Sequence, residues 1–521
     1  MRKNPKEIEL KLTVTPAHIA ALKAHKAFSE LLEHPVASEN LTSVYFDTDR
    51  FDLRHHGVTL RVRRKGGQFV QTIKSSSTAS PLERSEWEQP LQTGQPDLNV
   101  IADTALEPIL TPEVRAALKP VFETRIRRTY YHLADTGWRI EIALDEGEIV
   151  AGNRSLPICE IELELKHGYR AALFELARMI VEVVPAQLSL SAKSERAYEL
   201  FEDKAQEAVY AASIDLAPGT TTAQAFQAIS RNALHQLIAN VPLMNSRNPE
   251  GLHQMRIAVR RLRTAISVFG DVVRDGQVKT IRSEMKWLNG ELSPARDHDT
   301  LAEEVMNPLR EQHPEDRGLK SLSFTLARRR VGSYRRAHDA VHSQRFSKLL
   351  IETFAWIEIG EWITTTDELT RMRRDWPIET FAADQLSRRR KQVKKKGRDL
   401  QKLDPAHRHK LRIQVKKTRY AAEFFANLFH DRKVAGRRTK MLSALKRLQS
   451  SLGGLNDVMT RKSLCAELLA QQPRALNGAA GRDRAFAAGL VTGSQEARRD
   501  ELLADASKAH AQFEDTKPFW K

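Results

Sequence analysis

The sequence predicts an α+β protein: an N-terminal eight-stranded antiparallel β tunnel with flanking helices, followed by an all-α helical bundle built from two repeats. Three observations predict this fold class. Short runs of alternating apolar and charged residues occupy about the first 200 residues, and a period of two is typical of β-strands. Apolar residues at three- and four-residue spacing occupy the rest, which is typical of helices. A basic helical segment recurs 156 residues further on, which indicates an internal duplication.

Eight strands and three helices of the N-terminal part can be placed from this alternation. The helices are expected after Pro16, Tyr169 and Ser194. The strands are expected at Glu7–Leu12, Ser43–Asp47, Val58–Arg63, Phe69–Lys74, Arg84–Glu88, Phe122–Leu133, Trp138–Leu144 and Pro157–Lys166. The C-terminal part shows helical periodicity almost throughout.

The charge distribution separates the same two parts. Hydrophobic residues make up 41% of the 521 residues and charged residues 29%, which is typical of a globular chain and not of a disordered one. Residues 1–210 have a formal charge of −4 and residues 211–521 a charge of +21, within a net charge of +17. The two parts are therefore expected to meet different partners.

Domain boundaries follow from charge and composition. We expect a tunnel domain at 1–210, a linker at 211–221 that contains Pro218 and Gly219, and a helical domain at 222–510. Its two repeats would span about 222–375 and 376–510. The two cysteines, Cys159 and Cys465, exclude a disulfide scaffold and a four-cysteine zinc site. With neither a signal-like N-terminus nor a run of about 18 apolar residues, we expect a cytoplasmic protein without a membrane segment.

Several predicted strands carry only charge on their polar face. Carboxylates and one lysine recur on the first and last strands: Glu7, Glu9, Lys11, Glu160, Glu162 and Glu164. Cations mark other strands and one segment before a helix: Arg61, Arg63, Lys74, Arg84, Arg125, Arg127 and Lys193. One interpretation is an ordinary sheet with its polar face in water. The repetition favours the other, a closed sheet whose charged faces line a lumen wide enough for one small ligand.

The lumen predicts a metal ion and a polyanion. Buried charges must be paired or hold an ion, and carboxylates without Cys or His beside them suit Mg²⁺ or Mn²⁺. Arginine forks match phosphate oxygens. Around Ile126 the strand phase is ambiguous by one residue, and we favour Arg127 over Arg128 as the inward side chain because Arg127 shares a face with Arg125.

Five motifs of the N-terminal part resemble a known family. Glu7-x-Glu9-x-Lys11 resembles the ExExK signature of the CYTH superfamily, tunnel-shaped metal-dependent enzymes that act on triphosphates. The likeness covers about residues 1–205 and continues, in order, through Leu60–Arg63, Thr72–Lys74, Asp145–Ile149 and Cys159–Leu163.

The resemblance implies roles for the lumen residues. Lys11 and Glu9 are the catalytic candidates, since the family has a lysine near the attacking water that either orients it or accepts its proton. The implied metal ligands are Glu7, Glu9, Glu160, Glu162 and, assisting them, Glu164. The implied phosphate-binding residues are Arg61, Arg63, Lys74, Arg84, Arg125, Arg127 and Lys193.

The duplicated segment of the helical part is strongly basic. Residues 252–269 resemble residues 408–425, and residues 285–297 resemble residues 445–457. On a helix, His253, Arg256, Arg260 and Arg263 fall within an arc of about 80°. Such a stripe is usually a solvated face. Like charges four residues apart weaken a helix, however, and both repeats keep them, which favours a binding surface.

Nucleic acid and inorganic polyphosphate both fit this basic surface. The two basic stripes contain no aromatic residue, and Tyr420 is the nearest one, which favours a ligand without bases. The paired H-x-x-R-x-x-x-[RK]-[RK]-x-R pattern also resembles the CHAD family, helical domains that bind polyphosphate, over about residues 220–500. The resemblance implies phosphate contacts from His253, Arg256, Arg260, Arg263, His409, Arg412, Lys416 and Arg419.

The leading hypothesis is a cytoplasmic Mg²⁺- or Mn²⁺-dependent hydrolase that cleaves inorganic triphosphate to diphosphate and phosphate. Its helical part would bind polyphosphate, with nucleic acid the less favoured partner. One alternative keeps the tunnel enzyme and changes the reaction to that of a thiamine triphosphatase, a nucleoside triphosphatase or an adenylate cyclase. Another is an adaptor without catalytic activity that binds polyphosphate or nucleic acid.

Overall fold

The computed structural model describes residues 6–26, 30–76, 80, 82–429, 432–470 and 478–521. The chain forms two compact units, Met1–Glu207 with Val341–Ile359, and Ala208–Ala340 with Gly360–Lys521. Within the described ranges, no helix combines the length and the apolar character needed to cross a membrane.

The first unit is a closed antiparallel barrel, which confirms the predicted tunnel fold. The strands are β1 (Lys6–Thr13), β2 (Ala37–Asp47), β3 (Val58–Lys65), β4 (Gln68–Ser76), β5 (Glu83–Leu91), β6 (Lys119–Asp135), β7 (Trp138–Ala151), β8 (Arg154–His167) and β9 (Gln187–Ser189). They follow the order β5-β4-β3-β2-β6-β7-β8-β1-β9, and an additional β1–β5 pairing closes eight of them into a ring. The three-residue β9, which pairs with the end of β1, is too short to show a period in the sequence.

The strand register turns the charged faces inward. Lys11 lies opposite Glu162 across β1 and β8, and Asp145 lies opposite Glu160 across β7 and β8. Because side chains alternate across a strand, the apolar residues between them point outward. Leu12 and Ile161, for example, are fully buried on that outer face. The barrel thus has an apolar exterior covered by other elements and a charged interior.

Among its described residues, the N-terminal segment of this unit also contains the helices α1 (Pro16–Lys23), α2 (Asp52–His55), α3 (Pro112–Ala117), α4 (Ala171–Val183) and α5 (Lys193–Phe201). The helices expected after Pro16, Tyr169 and Ser194 are confirmed as α1, α4 and α5 within one or two residues. α5 packs against β6, β7 and β8. Its Ala197 and Tyr198 join Phe122 and Ile149 in one apolar cluster, so α5 covers one end of the barrel.

One further helix of the first unit comes from far along the chain. α11 (Gln344–Ile359) packs on α4, where the rings of Phe354 and Phe174 lie 5.6 Å apart between centroids. Glu352 Oε1 accepts a hydrogen bond of 2.7 Å from Arg178 Nε. Gln344 Nε2 donates to the carbonyl oxygen of Val181 at 2.7 Å. The segment 341–359 therefore belongs to the tunnel unit, although it lies within the range predicted for the first helical repeat.

The second unit is helical. Its helices are α6 (Thr222–Ala239), α7 (Pro249–Val268), α8 (Gln277–Leu301), α9 (Asn307–Gln312), α10 (Arg317–Val341), α12 (Glu361–Thr364), α13 (Glu368–Asp375), α14 (Ile378–Lys396), α15 (Pro405–Phe424), α16 (Arg432–Ala470), α17 (Ala479–Ala497) and α18 (Arg499–Asp515). A π-helical turn, Ala302–Met306, joins α8 to α9, and 3₁₀ turns lie at Pro242–Met244, Leu400–Lys402 and Ala426–Leu428.

The internal duplication is visible in the start and the end of two helices. α7 and α15 begin alike, with Asn248 or Asp404 as the N-cap followed by a proline. Both cap side chains accept backbone N–H groups of the first turn, the role that Asn and Asp fill best. At the other end, the equivalent Phe269 and Phe425 contact each other with ring centroids 6.0 Å apart. The two repeats thus meet at corresponding residues, as expected for a pseudo-two-fold arrangement.

Candidate active site and cationic cluster

Three adjacent strands form a carboxylate wall inside the tunnel. β1 contributes Glu7 and Glu9, β7 contributes Asp145, and β8 contributes Glu160 and Glu162. Asp145 and Glu160 are fully buried, and Glu9 is 5% exposed. A barrel interior with this many carboxylates must hold cations next to them.

Lys193, the first residue of α5, supplies one of these cations. Its Nζ lies 2.8 Å from Asp145 Oδ2, 2.8 Å from Glu160 Oε2 and 2.7 Å from Glu162 Oε1. Burial works to lower the pKa of Lys193, but Asp145, Glu162 and Glu160 raise it above its ordinary value. Burial likewise works to raise the pKa of Glu162, yet Lys193, Lys11 and Arg128 hold it well below the ordinary value. Lys193 is therefore protonated and Glu162 ionised, so the two side chains form a buried ion pair.

Lys11 bridges two strands of the carboxylate wall. Its Nζ lies 3.0 Å from Glu9 Oε1 and 3.3 Å from Glu162 Oε1. Arg84 Nε approaches the same Glu9 oxygen at 3.5 Å. The predicted catalytic pair, Lys11 and Glu9, is thus in direct contact inside the lumen.

The opposite side of the ring carries the cations of β3 and β4. Lys74 Nζ donates to Glu7 Oε2 at 2.6 Å and lies 3.1 Å from Glu86 Oε1. Arg61 Nη2 lies 3.5 Å from the same Glu86 oxygen. Since β3 and β4 are separated from β7 and β8 on both sides of the ring, the lumen has an acidic side and a basic side.

Arg63 on β3 differs from the other lumen cations. Its Nε donates to Ser43 Oγ at 3.1 Å, and among the described residues no carboxylate lies within 4 Å of its guanidinium. Burial, together with the neighbouring guanidinium groups of Arg61 and Arg128, lowers the pKa of Arg63 to about 10. A buried guanidinium without a counter-ion is unfavourable until an anion reaches it, so Arg63 marks a site for an anionic ligand.

The expected phase of β6 is wrong. Arg125 and Arg127 are exposed on the outer face of the barrel, where Arg125 contacts Glu123 and Glu148. Arg128 instead faces the lumen: its Nε donates to Asp145 Oδ1 at 2.6 Å and its Nη2 to Glu162 Oε2 at 2.5 Å.

The phase of β6 is misread for a physical reason, and other residues of the same strand indicate the correct phase. The phase of the strand was inferred from Arg125, whose own charge is satisfied in solvent. Further along β6, Tyr131 and Leu133 are buried on the outer face. Their parity assigns the odd-numbered residues to the outside and Arg128 to the lumen.

Two further lumen carboxylates were not assigned a role from the sequence. Asp145 lies in a motif that carried the resemblance, but only the strand register reveals that it faces Glu160. Glu86 bridges Lys74 and Arg61. Glu164, by contrast, lies further out and pairs with Lys166 at 2.6 Å, and burial raises its pKa. Of the five predicted metal ligands, Glu164 is thus the least involved in the central cluster.

The carboxylate wall fits a hard divalent cation in its donor chemistry. Its donors are oxygen atoms, which Mg²⁺ prefers. Three of the carboxylates already converge on one cation, the Lys193 ammonium. The buried oxygens Glu9 Oε1 and Glu160 Oε2 make no hydrogen bond of good geometry, despite their ion pairs. The described residues contain no group of three or more Asp, Glu, His or Cys side chains already arranged to hold a metal ion. Lys11 and Lys193 would therefore have to move away from these carboxylates before a metal ion could bind.

In the second unit, cations of both repeats crowd together where α7 packs against α15. Burial, together with Arg260 and Arg412, lowers the pKa of Lys416 to about 7. Burial also lowers the pKa of Arg256 to about 10, opposed by Asp297, whose Oδ1 lies 3.5 Å from Arg256 Nη1. We call Arg256, Arg260, Arg412 and Lys416 the cationic cluster.

The other four residues predicted to contact polyphosphate lie outside this cluster. Arg263 is exposed, and Arg419 is engaged by Glu423 and by Gln449 Oε1 at 2.8 Å. Burial and nearby arginines lower the pKa of His253 to about 4, so this imidazole is neutral at pH 7. His409 Nδ1 lies 3.1 Å from Asn456 Oδ1. The structure thus places four of the eight residues near enough to one another for their charges to interact.

Two carboxylates, Asp297 and Asp457, adjoin the cations of α7 and α15. Asp297 lies inside α8 and Asp457 inside α16, each beside the cationic cluster. Burial raises the pKa of Asp457, opposed by Arg412 and Arg461. Both carboxylates therefore act as partial counter-ions to the cations of α7 and α15.

Several known proteins resemble parts of this chain. An inorganic triphosphatase of Haemophilus influenzae is 30% identical over 196 residues, which are 37% of this chain and 54% of that protein. The chain thus matches about half the length of this relative. A crystal structure of a CHAD domain from the plant Ricinus communis is 27% identical, with a TM-score of 0.49, covering 60% of this chain and 98% of the other. A proposed adenylyl cyclase from Hippeastrum, described with a dominant triphosphatase activity, is 19% identical, with a TM-score of 0.30, over 37% and 95% of the two chains.

Two family models match the chain in adjacent segments. The CYTH domain model matches residues 5–198, which contain all eight strands of the barrel ring. The CHAD domain model matches residues 228–466, which contain α7 and α15 with the cationic cluster. The chain therefore combines a CYTH domain, whose fold is the charged β tunnel, with a CHAD domain.

Proposed function

We propose that the tunnel hydrolyses inorganic triphosphate to diphosphate and phosphate in a reaction that depends on Mg²⁺ or Mn²⁺. The observation that carries this proposal is the enclosed lumen with its acidic and basic sides, in which no described carboxylate neutralises Arg63 directly. A triphosphate has charge on every unit and needs cations along its length. The similarity to the Haemophilus influenzae inorganic triphosphatase supports the same substrate class.

The basic side would bind and orient the substrate. Arg61, Arg63 and Lys74 project from neighbouring strands, so their N–H groups can contact successive phosphates. Arg128 would reach the substrate while it remains bonded to Asp145. We assign no substrate contact to Arg125 and Arg127, which lie outside the lumen.

The acidic side would hold the metal ion. Glu7, Glu9, Glu160 and Glu162, with Asp145, are the side chains placed to bind it. When bound, the ion would neutralise phosphate charge and polarise the phosphoryl group. Hydrolysis forms a bond between the water oxygen and a terminal phosphorus and breaks the bridging P–O bond, so that diphosphate leaves.

Lys11 would orient the attacking water. Two carboxylates, those of Glu9 and Glu162, adjoin its ammonium. A charged ammonium can donate a hydrogen bond to water but cannot accept its proton. The proton would therefore pass to one of the neighbouring carboxylates or to the substrate.

A phosphate-release assay tests the substrate and the metal together. Triphosphate, ATP and thiamine triphosphate are compared with and without Mg²⁺. We expect the highest kcat/KM for triphosphate and loss of activity in a chelator. Equal or faster turnover of ATP would overturn the substrate assignment, and full activity without metal would overturn the role of the carboxylate wall.

One observation favours a second candidate, a triphosphate that carries a ring. Tyr130 and His132 lie on the lumen face of β6 with parallel rings 6.3 Å apart between centroids. Such a pair can contact an aromatic base. Tyr130→Ala should then slow turnover of the ring-bearing substrate and leave triphosphate turnover unchanged, whereas an equal effect on both would remove this candidate.

We propose that the helical unit binds inorganic polyphosphate at the cationic cluster. Two carboxylates, Asp297 and Asp457, lie beside the four cations, so the cluster keeps an excess of positive charge. Aromatic side chains on which bases could stack are few along α7 and α15. Binding of long-chain polyphosphate should therefore persist in the presence of single-stranded DNA of equal phosphate concentration. Ready displacement by the DNA would favour a nucleic-acid partner instead.

A further inference from the structure

A second cationic pocket lies in the helical unit, outside the cationic cluster. It has a volume of about 270 Å³ between the C-terminal end of α7 and the helices α14 and α15. The side chains that matter for its chemistry are Gln385, Arg388, Arg389, Gln392, Gln414 and Lys417. None of them belongs to the eight residues expected to contact polyphosphate.

The pocket occupies a different face of α15 from the cationic cluster. At about 100° per residue, Lys417 is rotated about 100° from Lys416, and Gln414 about 200° from Arg412. One helix therefore presents one set of cations to α7 and another set to this pocket.

Arg389 and Lys417 enter the pocket without counter-ions. Arg389 is 8% exposed, and its Nη2 donates to the carbonyl oxygen of Ser267 at 3.2 Å. Among the described residues, no carboxylate lies within 4 Å of either side chain. The buried donors Arg389 Nε and Gln414 Nε2 also lack an acceptor. Unpaired buried charges and donors cost free energy unless a ligand satisfies them.

The other charged side chains at the pocket are already engaged. Asp271 Oδ1 lies 3.2 Å from Arg274 Nη2, and Asp271 Oδ2 lies 3.8 Å from Arg373 Nη1. Arg388 Nε donates to Asp384 Oδ1 at 3.0 Å. The unbalanced charge of the pocket is therefore that of Arg389 and Lys417.

A structural role for Arg389 explains only part of this arrangement. Its bond to the carbonyl oxygen of Ser267 caps the last turn of α7, as cations commonly do at helix C-termini. Neither Arg389 Nε nor the nearby Lys417 takes part in that cap. Burial lowers the pKa of Arg389 to about 10, and burial together with Arg389 lowers the pKa of Lys417, consistent with two unneutralised cations.

We propose that this pocket binds a small multiply charged oxyanion, of the size of orthophosphate or diphosphate, through Arg389, Lys417 and the amide of Gln414. The unsatisfied groups are all N–H donors, which match phosphate oxygens. The volume is below the range of about 300–1,000 Å³ found for ordinary small-molecule sites, which suits an anion and not a larger organic ligand.

Chemical protection of Lys417 in the full-length protein tests the proposal directly. The protein is treated with an amine-acetylating reagent in the presence of orthophosphate, diphosphate, long-chain polyphosphate or chloride of equal ionic strength, and each lysine is quantified by mass spectrometry. At about ten times its dissociation constant, diphosphate should slow the modification of Lys417 about tenfold, since only the unliganded protein reacts. Lys410, exposed on the same helix, is the internal control and should react equally in all samples.

Two other outcomes would overturn the proposal. Equal reactivity of Lys417 with either small anion and with chloride would mean that neither binds. Protection by polyphosphate alone would assign Lys417 to the polyphosphate surface.

Matched variants separate the pocket from the cationic cluster. Calorimetric titration with diphosphate should lose one site in Lys417→Gln, keep it in Lys417→Arg, and keep it in the charge-matched control Lys410→Gln. The site should also persist in the double variant Arg256→Ala, Arg412→Ala. Its loss in that double variant, or its persistence in Lys417→Gln, would show that the anion binds elsewhere.

Discussion

Some buried Lys and Arg side chains of this protein lie beside carboxylates and others do not. Those without a neighbouring carboxylate indicate candidate sites for anionic ligands. Lys193 has three carboxylates around its ammonium, so it is neutralised without a ligand. Within the described part of the chain, Arg63 and Lys416 form no ion pair, and burial depresses the pKa of each. An anionic ligand gains most where the protein has left a cation uncompensated.

Replacing Arg63 should therefore affect activity and stability in opposite directions. Arg63→Met removes a charged hydrogen-bond donor worth about 1.5–3 kcal/mol, so kcat/KM for triphosphate should fall about 10- to 150-fold. The melting temperature should stay the same or rise, because an unpaired buried charge is lost. Steady-state kinetics and thermal melting measure the two effects.

The exposed Arg127 provides the control for Arg63. Arg127→Met should change kcat/KM less than twofold. A loss of activity in Arg127→Met equal to that in Arg63→Met would contradict the orientation of the strands.

The depressed pKa of Lys416, about 7, predicts a pH dependence of polyphosphate binding. A bound polyanion favours the charged form, so affinity is highest below pH 7 and falls as the pH rises through 7. From this one group the fall is at most about tenfold per pH unit. Fluorescence titration between pH 6 and about 9 measures it, a range in which arginine keeps its charge.

Lys416→Arg should flatten this pH profile. The variant stays charged throughout, so its affinity should change little over the same range. Identical profiles for the wild-type protein and Lys416→Arg would exclude Lys416 as the titrating group.

At the level of elements, the tunnel depends on a helix from much later in the chain. α11 lies within the segment matched by the CHAD model, yet it packs on α4 of the tunnel unit. Phe354 is 1% exposed there and contacts Phe174. A chain cut at the end of the CYTH match would leave this apolar face of α4 uncovered.

Phe354→Ala should consequently destabilise the tunnel unit. Truncating a fully buried phenylalanine costs about 3–5 kcal/mol of unfolding free energy. Hydrogen–deuterium exchange should increase in α4, residues 171–183, and triphosphate turnover should be lost at lower temperature.

Phe324→Ala is the matched control, because Phe324 is 68% exposed in the helical unit. It should change the free energy of unfolding by no more than about 0.5 kcal/mol. Unchanged exchange in α4 of Phe354→Ala would contradict the assignment of α11 to the tunnel unit.

At the level of the whole molecule, the two parts of the chain differ in their charge. Residues 1–210 are close to neutral, and their lumen pairs cations with carboxylates, whereas residues 211–521 carry an excess of 21 positive charges. The first arrangement suits an enclosed substrate with a metal, and the second suits a longer polyanion held by its charge alone.

The two proposed activities should therefore be separable by mutation. The double variant Arg256→Ala, Arg412→Ala should weaken polyphosphate binding at least about tenfold, from two lost charged contacts, and leave triphosphate kcat/KM unchanged. Glu160→Gln should do the reverse. Binding and phosphate-release assays on the same preparations measure both effects, and a variant that lost both activities while remaining folded would contradict the separation.

The strand positions, the inward charges and the duplication could be read from residue order, because each depends on a local period. Alternation over six or seven residues identifies a strand, and a repeat at a fixed offset identifies a duplication. Most of the lumen residues followed from these patterns and from the family likeness. They needed no knowledge of distant contacts.

Folding in three dimensions decided the features that depend on which strands and helices become neighbours. The pairing of Arg128 with Asp145 rests on the register between β6 and β7, although the parity of Tyr131 and Leu133 already indicates which face Arg128 occupies. The contacts of Lys193 with Asp145, the place of α11 in the tunnel unit and the pocket beside Arg389 each join residues far apart in the chain. A local period contains no information about such contacts.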